Sequence, residues 1–197
     1  MRAVLLLVVL GACTPEIVSG AYECGPDQAC PDGQACDGPT AVCVSESAAR
    51  PFACGEDANE IEPNNTQATA SALSLTQCVS AVSEVIGCQI TASDAEDWFA
   101  VTAPTACTQV HVELRLSYTI ALGQLAVDLH DPSGAVVGTG ATCSNSSSAD
   151  GTIDVCLSVP LTPGQTYAAR VSGAGTEDCD GDCAYNRYRL SLQLASP

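Results

Sequence analysis

Apolar and polar residues alternate through the second half of the chain. Val110, Val112, Leu114 and Leu116 alternate with His111, Glu113, Arg115 and Ser117, and Leu125, Val127 and Leu129 alternate with Ala126, Asp128 and His130. A period of two sends successive side chains to opposite faces of a strand, so each run predicts one buried and one wet face. Further runs predict strands at 84–90, 97–102, 135–142, 152–159, 166–172 and 187–193, joined by the turn sequences "DPSG", "SNSSSADG" and "LTPGQ". In the last turn Pro163 presets φ and Gly164 supplies a left-handed residue. In the strand from Asp97, Phe99 and Val101 share the core face, and Trp98 lies opposite, where it can lean on the incoming linker. About eight short strands with almost no helical periodicity predict an all-β, antiparallel two-sheet β-sandwich. One short helix is expected from about Thr66 to Leu73, capped by Asn65 or Thr66.

Upstream the texture is different. Residues 24–43, "CGPDQACPDGQACDGPTAVC", form a C-x5-C-x5-C-x6-C framework of mostly Gly, Pro, Asp, Gln and Ala, with no apolar core. Below about 40 residues a unit needs disulfides to hold a shape, so residues 24–54 are expected to form a small disulfide-rich module. Of three possible connectivities, the alternate one (Cys24 with Cys36, Cys30 with Cys43) is expected, and the module's default role is a protease-resistant spacer. The chain opens "MRAVLLLVVLGAC", a charged start and an apolar run too short to span a bilayer, the pattern of an export leader. Leu10-Gly11-Ala12-Cys13 resembles the bacterial lipobox, which implies removal of residues 1–12, acylation of Cys13 and a tether over 13–23. Thr14, where an Asp would retain the protein at the inner membrane, implies an outer-membrane lipoprotein facing periplasm or exterior.

Thirteen cysteines become twelve once Cys13 carries lipid, an even set for disulfides in an oxidising compartment. Beyond the module, Cys88 is expected to pair with Cys107, Cys143 with Cys156, Cys54 with Cys78 and Cys179 with Cys183. No paired C-x2-C units occur, which argues against structural zinc. The formal charge of −17 becomes −18 when Arg2 leaves with the leader, and this excludes nucleic acid as a partner. Such an excess suits divalent cations, although a solvated acidic surface has the same composition.

Catalytic motifs are absent. His111 and His130 read as solvent-facing, Asp131 is explained as the opening of the "DPSG" turn, and there is no nucleophile elbow or H-E-x-x-H. A glycosidase use of Asp94 and Asp97 would need sugar-stacking aromatics, and aromatics make up only 4% of the chain. Trp98, Phe99, Tyr167 and Tyr188 are assigned to packing, which leaves Tyr118 and Tyr185 for a ligand and does not indicate a strong lectin. The chain is therefore expected not to be an enzyme.

Six motifs follow in order: Glu62-Pro63-Asn64-Asn65-Thr66, Ile86-Gly87-Cys88-Gln89-Ile90, Asp94-Ala95-Glu96-Asp97-Trp98-Phe99, Leu129-His130-Asp131-Pro132-Ser133-Gly134, Leu161-Thr162-Pro163-Gly164-Gln165-Thr166-Tyr167, and Tyr188-Arg189-Leu190. This series resembles the bacterial pre-peptidase C-terminal domain, and the resemblance implies a jelly-roll-like sandwich over residues 55–197. Calcium-binding members carry Glu-x-Glu-x-Asn-Asp followed by Asp-x-x-Asp, which falls here on Glu60, Glu62, Asn64, Asn65, Asp94 and Asp97. Pro63 favours an extended Glu62, so Glu60, Glu62 and Asn64 should project to one side and Ile61 to the other. Carboxylates and amide oxygens suit calcium, which takes about six to eight oxygens. Asn65 stands where those members have Asp, so one firm site and a weaker or missing second one are expected. The competing reading leaves Glu60 and Glu62 as solvated linker charges and Asn64, Asn65 and Thr66 as helix caps.

The expected function is a non-catalytic surface lipoprotein whose calcium-stabilised sandwich binds or stabilises at the cell envelope. The alternative is an accessory domain acting with a separate secreted protease. Expected partners are the membrane, through the N-terminal lipid, and an extracellular protein or polysaccharide, with the chain itself a monomer.

Overall fold

The structure, a computed structural model, describes residues 18–51, 54, 58–73, 75–79, 82–89, 95–146, 151–174 and 186–195. Cys13, Asp94, Cys179, Cys183 and Tyr185 lie outside the described residues. The N-terminal module holds three strands, β1 (Tyr22–Glu23), β2 (Gln34–Asp37) and β3 (Val42–Ser45), in the order β1-β3-β2. Ten strands follow: β4 (Ser71–Leu73), β5 (Ser83–Gln89), β6 (Glu96–Thr102), β7 (Val110–Thr119), β8 (Leu125–His130), β9 (Val136–Thr139), β10 (Ala141–Thr142), β11 (Thr152–Leu161), β12 (Thr166–Gly173) and β13 (Asn186–Ala195). They form two five-stranded sheets, β10-β11-β7-β13-β5 and β4-β6-β12-β8-β9, packed as a β-sandwich. Among the described residues no helix is long and apolar enough to cross a membrane.

All eight expected runs are strands, and the two additional strands have separate causes. The run expected at 135–142 divides, with β9 pairing β8 in one sheet and β10 pairing β11 in the other. Gly140 makes the crossing, and a Cβ there would fall 2.6 Å from Val155 Cγ1 and 2.8 Å from Val127 Cγ1, so only glycine passes between the sheets. The helix expected over 66–73 is replaced by one 3-10 turn, Gln67–Thr69, and strand β4, which runs parallel to β6. This stretch has no apolar stripe to bury as a helix, whereas pairing with β6 satisfies its backbone. The one strong signal there was the cap: Thr69 Oγ1 accepts from the Thr66 backbone N–H at 3.2 Å.

Alternation places Phe99 and Val101 of β6, Val112, Leu114 and Leu116 of β7, and Leu190 and Leu192 of β13 in one core between the sheets. In the turn after β11, Gly164 has φ +79° and its N–H donates to the Ala103 carbonyl at 2.9 Å. Two expectations of exposure fail. Tyr118 is buried in the core, because its position in β7 faces inward with Leu116. His130 is buried rather than solvent-facing: its ring packs on Trp98 at 4.8 Å between centroids, and Nδ1 meets the Gly134 carbonyl at 3.1 Å. The linker side of this sheet is covered, so its outer face is not all wet.

Five disulfides join described cysteines: Cys24–Cys36, Cys30–Cys43, Cys54–Cys88, Cys78–Cys107 and Cys143–Cys156. The first two and the last are the pairs expected. The pairings Cys54–Cys78 and Cys88–Cys107 are corrected to Cys54–Cys88 and Cys78–Cys107. Segment 58–60 runs beside β5, with Asn59 N–H donating to the Ile86 carbonyl at 2.9 Å, and this carries Cys54 to Cys88. The module also rests on the sandwich: Cys24 and Cys43 cluster with Ala121, and Gln28 N–H donates to the Ala121 carbonyl at 3.1 Å.

Candidate metal centre

The segment entering the sandwich crosses the rim from one sheet to the other. At one end Asn59 is bonded to β5 in both directions, since its Oδ1 also accepts from the Ile86 N–H at 2.8 Å. At the other end Trp98 N–H of β6 donates to the Asn64 carbonyl at 2.9 Å. Between these anchors the chain is extended, and Ile61 is 72% exposed while Glu60 and Glu62 turn toward the rim.

Asp97 meets them from β6. It shares the inward face with Phe99 and Val101, but at the first turn of the strand that face opens on the rim, where Asp97 is fully buried. Glu60, Glu62 and Asp97 each present a carboxylate oxygen within 4.8 Å of the others. Glu60 is fixed by Cys88 N–H, which donates to Oε1 at 2.7 Å, and Glu62 by Asn64 N–H, which donates to Oε2 at 2.9 Å. The buried Asn64 amide, turned with Nδ2 toward Glu62, donates to both carboxylate oxygens at 3.1 Å; turned the other way, Oδ1 joins the oxygens around the same point.

Tyr188 of β13 closes the group from the second sheet. Its hydroxyl lies 2.7 Å from Asp97 Oδ2 and 3.1 Å from Glu60 Oε2, and its single proton serves one of them at a time. Burial, followed by the charges of Asp97 and Glu60, pushes the phenol well above its ordinary range. The Tyr188 ring lies across Gly87, its partner in β5, where a Cβ would meet Tyr188 and come 2.7 Å from Glu60 Oε2. These two residues were missed as parts of the site. The signal for Tyr188 was its inward parity in β13, since a buried phenol needs a partner for its hydroxyl.

The residues present fit a calcium ion. Metal–oxygen distances of about 2.3–2.6 Å place opposite ligands about 4.6–5.2 Å apart, so three carboxylates within 4.8 Å of one another can reach one ion, with the Asn64 amide and Tyr188 hydroxyl alongside. Asn65 is the next residue, half-buried, and Asp94 falls outside the described residues. All ten described cysteines are in disulfides, so there is no free thiol among the described residues.

No family model matches the chain. No curated protein matches it in sequence. Among solved structures, the pre-peptidase C-terminal domain of a collagenase from Bacillus anthracis is similar, with 14% identity, a TM-score of 0.40, and coverage of 64% of this chain and 94% of that domain.

Proposed function

We propose that this protein is a non-catalytic, lipid-anchored envelope protein whose sandwich is stabilised by calcium and serves as a binding or stabilising module. The observation that carries the calcium reading is the convergence of Glu60, Glu62 and Asp97 at the rim, from a linker and a strand far apart in sequence. Held together without a cation, such carboxylates repel one another. An ion shared among them ties the incoming segment to β6, and Tyr188 couples the same point to β13. Calcium acts here as a structural clamp, and the chain's own residues bind and orient it. The anchor rests on Cys13 and the lipobox-like residues before it. Native mass spectrometry of the protein extracted from membranes tests both parts. A calcium adduct removed by chelator and a diacyl mass on the N-terminal peptide are expected; a bare polypeptide mass in calcium-containing buffer contradicts the clamp, and an unmodified Cys13 contradicts the anchor.

A further inference from the structure

Two apolar side chains of the Cys-rich module stand in solvent. Val18 is 62% exposed and Tyr22 49%, and Tyr22 is the only exposed aromatic among the described residues. Both are held rigidly. Ala21 N–H donates to the Val18 carbonyl at 3.2 Å, which closes a turn, and Gly20 N–H within it donates to the Cys43 carbonyl at 2.8 Å. Gly20 takes the left-handed φ of +83° that such a turn requires. Ser45 N–H donates to Ser19 Oγ at 3.1 Å, and Tyr22 pairs with Cys43 in β3, a residue bridged to Cys30. The turn is thus fastened to the disulfide framework, and its apolar pair is presented outward.

We infer that the Val18–Tyr22 turn seats in the headgroup layer of a zwitterionic bilayer, an inference that rests on the reading of Cys13 as a lipid anchor. Covalent geometry sets the reach. Val18 is five residues after Cys13, which at full extension is at most about 18 Å. An acylated cysteine sits at the edge of the hydrocarbon, and the headgroup layer above it takes up roughly 5–8 Å of that length. The turn brings Ala21 back to within about 7 Å of Val18, so Tyr22 stays at the same level. Tyrosine favours that depth, with its ring against acyl chains and its hydroxyl in the wet layer. Charge selects the kind of lipid: the chain carries −17, and Glu16 and Glu23 flank the pair, so anionic headgroups are repelled. The seat also orients the sandwich. The module joins it at the β7–β8 turn, where Gln28 N–H meets the Ala121 carbonyl. The ten residues of β7 span roughly 30 Å, and at their far end Val110 pairs with Leu161 before the Gly164 turn, so that end faces away from the membrane.

Tyr22→Trp in the lipidated full chain tests the seat, in phosphatidylcholine nanodiscs whose lipids are brominated high on the acyl chains. Wild type, with the buried Trp98 as its single tryptophan, supplies the reference emission. About half or more of the emission added by Tyr22→Trp should be quenched by bromine, as expected of an indole at headgroup depth. Adding Val18→Ser should cut that quenching, and anionic lipid should weaken it at low salt more than at high salt. Both substitutions change exposed side chains and should keep the wild-type melting point. Protein that carries the diacyl mass and enters the discs but shows no quenching in Tyr22→Trp overturns the seat alone. Quenching untouched by Val18→Ser also overturns it, since a short tether would then be its whole cause. Emission that instead moves to shorter wavelength as more copies share a disc assigns the pair to a second copy and overturns it too. Protein without the diacyl mass that stays out of the discs overturns the anchor and the seat together.

Discussion

Gly87→Ala puts the smallest possible change at the point where the linker and both sheets meet. The added methyl would lie 2.7 Å from Glu60 Oε2 and closer still to Tyr188 Cζ and Oη, against an aromatic ring that is only 2% exposed. The ring cannot swing into the packed core, so it must be pushed along the rim or the two strands must separate. Overpacking of this kind costs about 1–3 kcal/mol. Displacing the ring also breaks the 2.7 Å bond to Asp97, and a hydrogen bond to a charged group contributes about 1.5–3 kcal/mol. Together these give about 3–5 kcal/mol, which for a domain of this size lowers the melting point by roughly 10–15 °C. Circular dichroism melting at neutral pH measures it, with Gly173→Ala as the control, since a Cβ at Gly173 meets nothing within 4 Å. Tyr188→Phe keeps the ring and loses only the hydroxyl, so it should fall between the control and Gly87→Ala. Equal melting points for Gly87→Ala and Gly173→Ala would refute the packing of Tyr188 over Gly87.

Serine at both Cys54 and Cys88 should lower stability by about 3–4 kcal/mol from loop-closure entropy, for a bridge spanning 34 residues. Peptide mapping without reduction should recover Cys54 with Cys88 and not with Cys78. The Asp154 carboxyl is held below its usual range chiefly by Arg115 at 2.5 Å, then by Ser117. Its contribution is therefore complete above about pH 4, the unfolded aspartate value, and is lost as pH falls through the lower folded value. Melting points recorded from pH 6 down to pH 2 should drop less steeply in Asp154→Asn than in wild type. Asn64→Ala removes a fully buried amide beside Glu62, at a cost of about 1–3 kcal/mol. Trp98, the single tryptophan, is bonded to the Asn64 carbonyl, so its emission should shift to longer wavelength as the segment loosens.

Period-two alternation was enough to place the strands, because each sheet buries one face and a slip of one residue would expose Leu114 or Leu190. The turn at Gly164 was legible for a local reason, its left-handed φ. What the sequence did not disclose depends on pieces meeting from far apart. The division at Gly140 follows from Val127 and Val155 closing on it across the sandwich. His130 looks wet by parity, and becomes buried because it packs against Trp98, the residue expected to lean on the incoming linker, whose N–H donates to the Asn64 carbonyl of that segment. The disulfide partners of Cys54 and Cys78 depend on which strand the linker follows, which alternation does not encode. At the candidate site Glu60, Glu62 and Asp97 were identifiable from sequence, whereas Gly87 and the Tyr188 hydroxyl act through a cross-strand pairing that only the fold creates.

The clamp is tested most directly by melting the full chain in calcium and in chelator, alongside Asp97→Asn and Glu62→Gln. An ion bound only by the folded protein, at about one hundred times its dissociation constant, adds about 2.7 kcal/mol. In a domain of this size that is a rise of roughly 5–10 °C in wild type, and both variants should lose it. The same melting point for wild type in calcium and in chelator would contradict a metal at the rim and leave three carboxylates that meet for another reason.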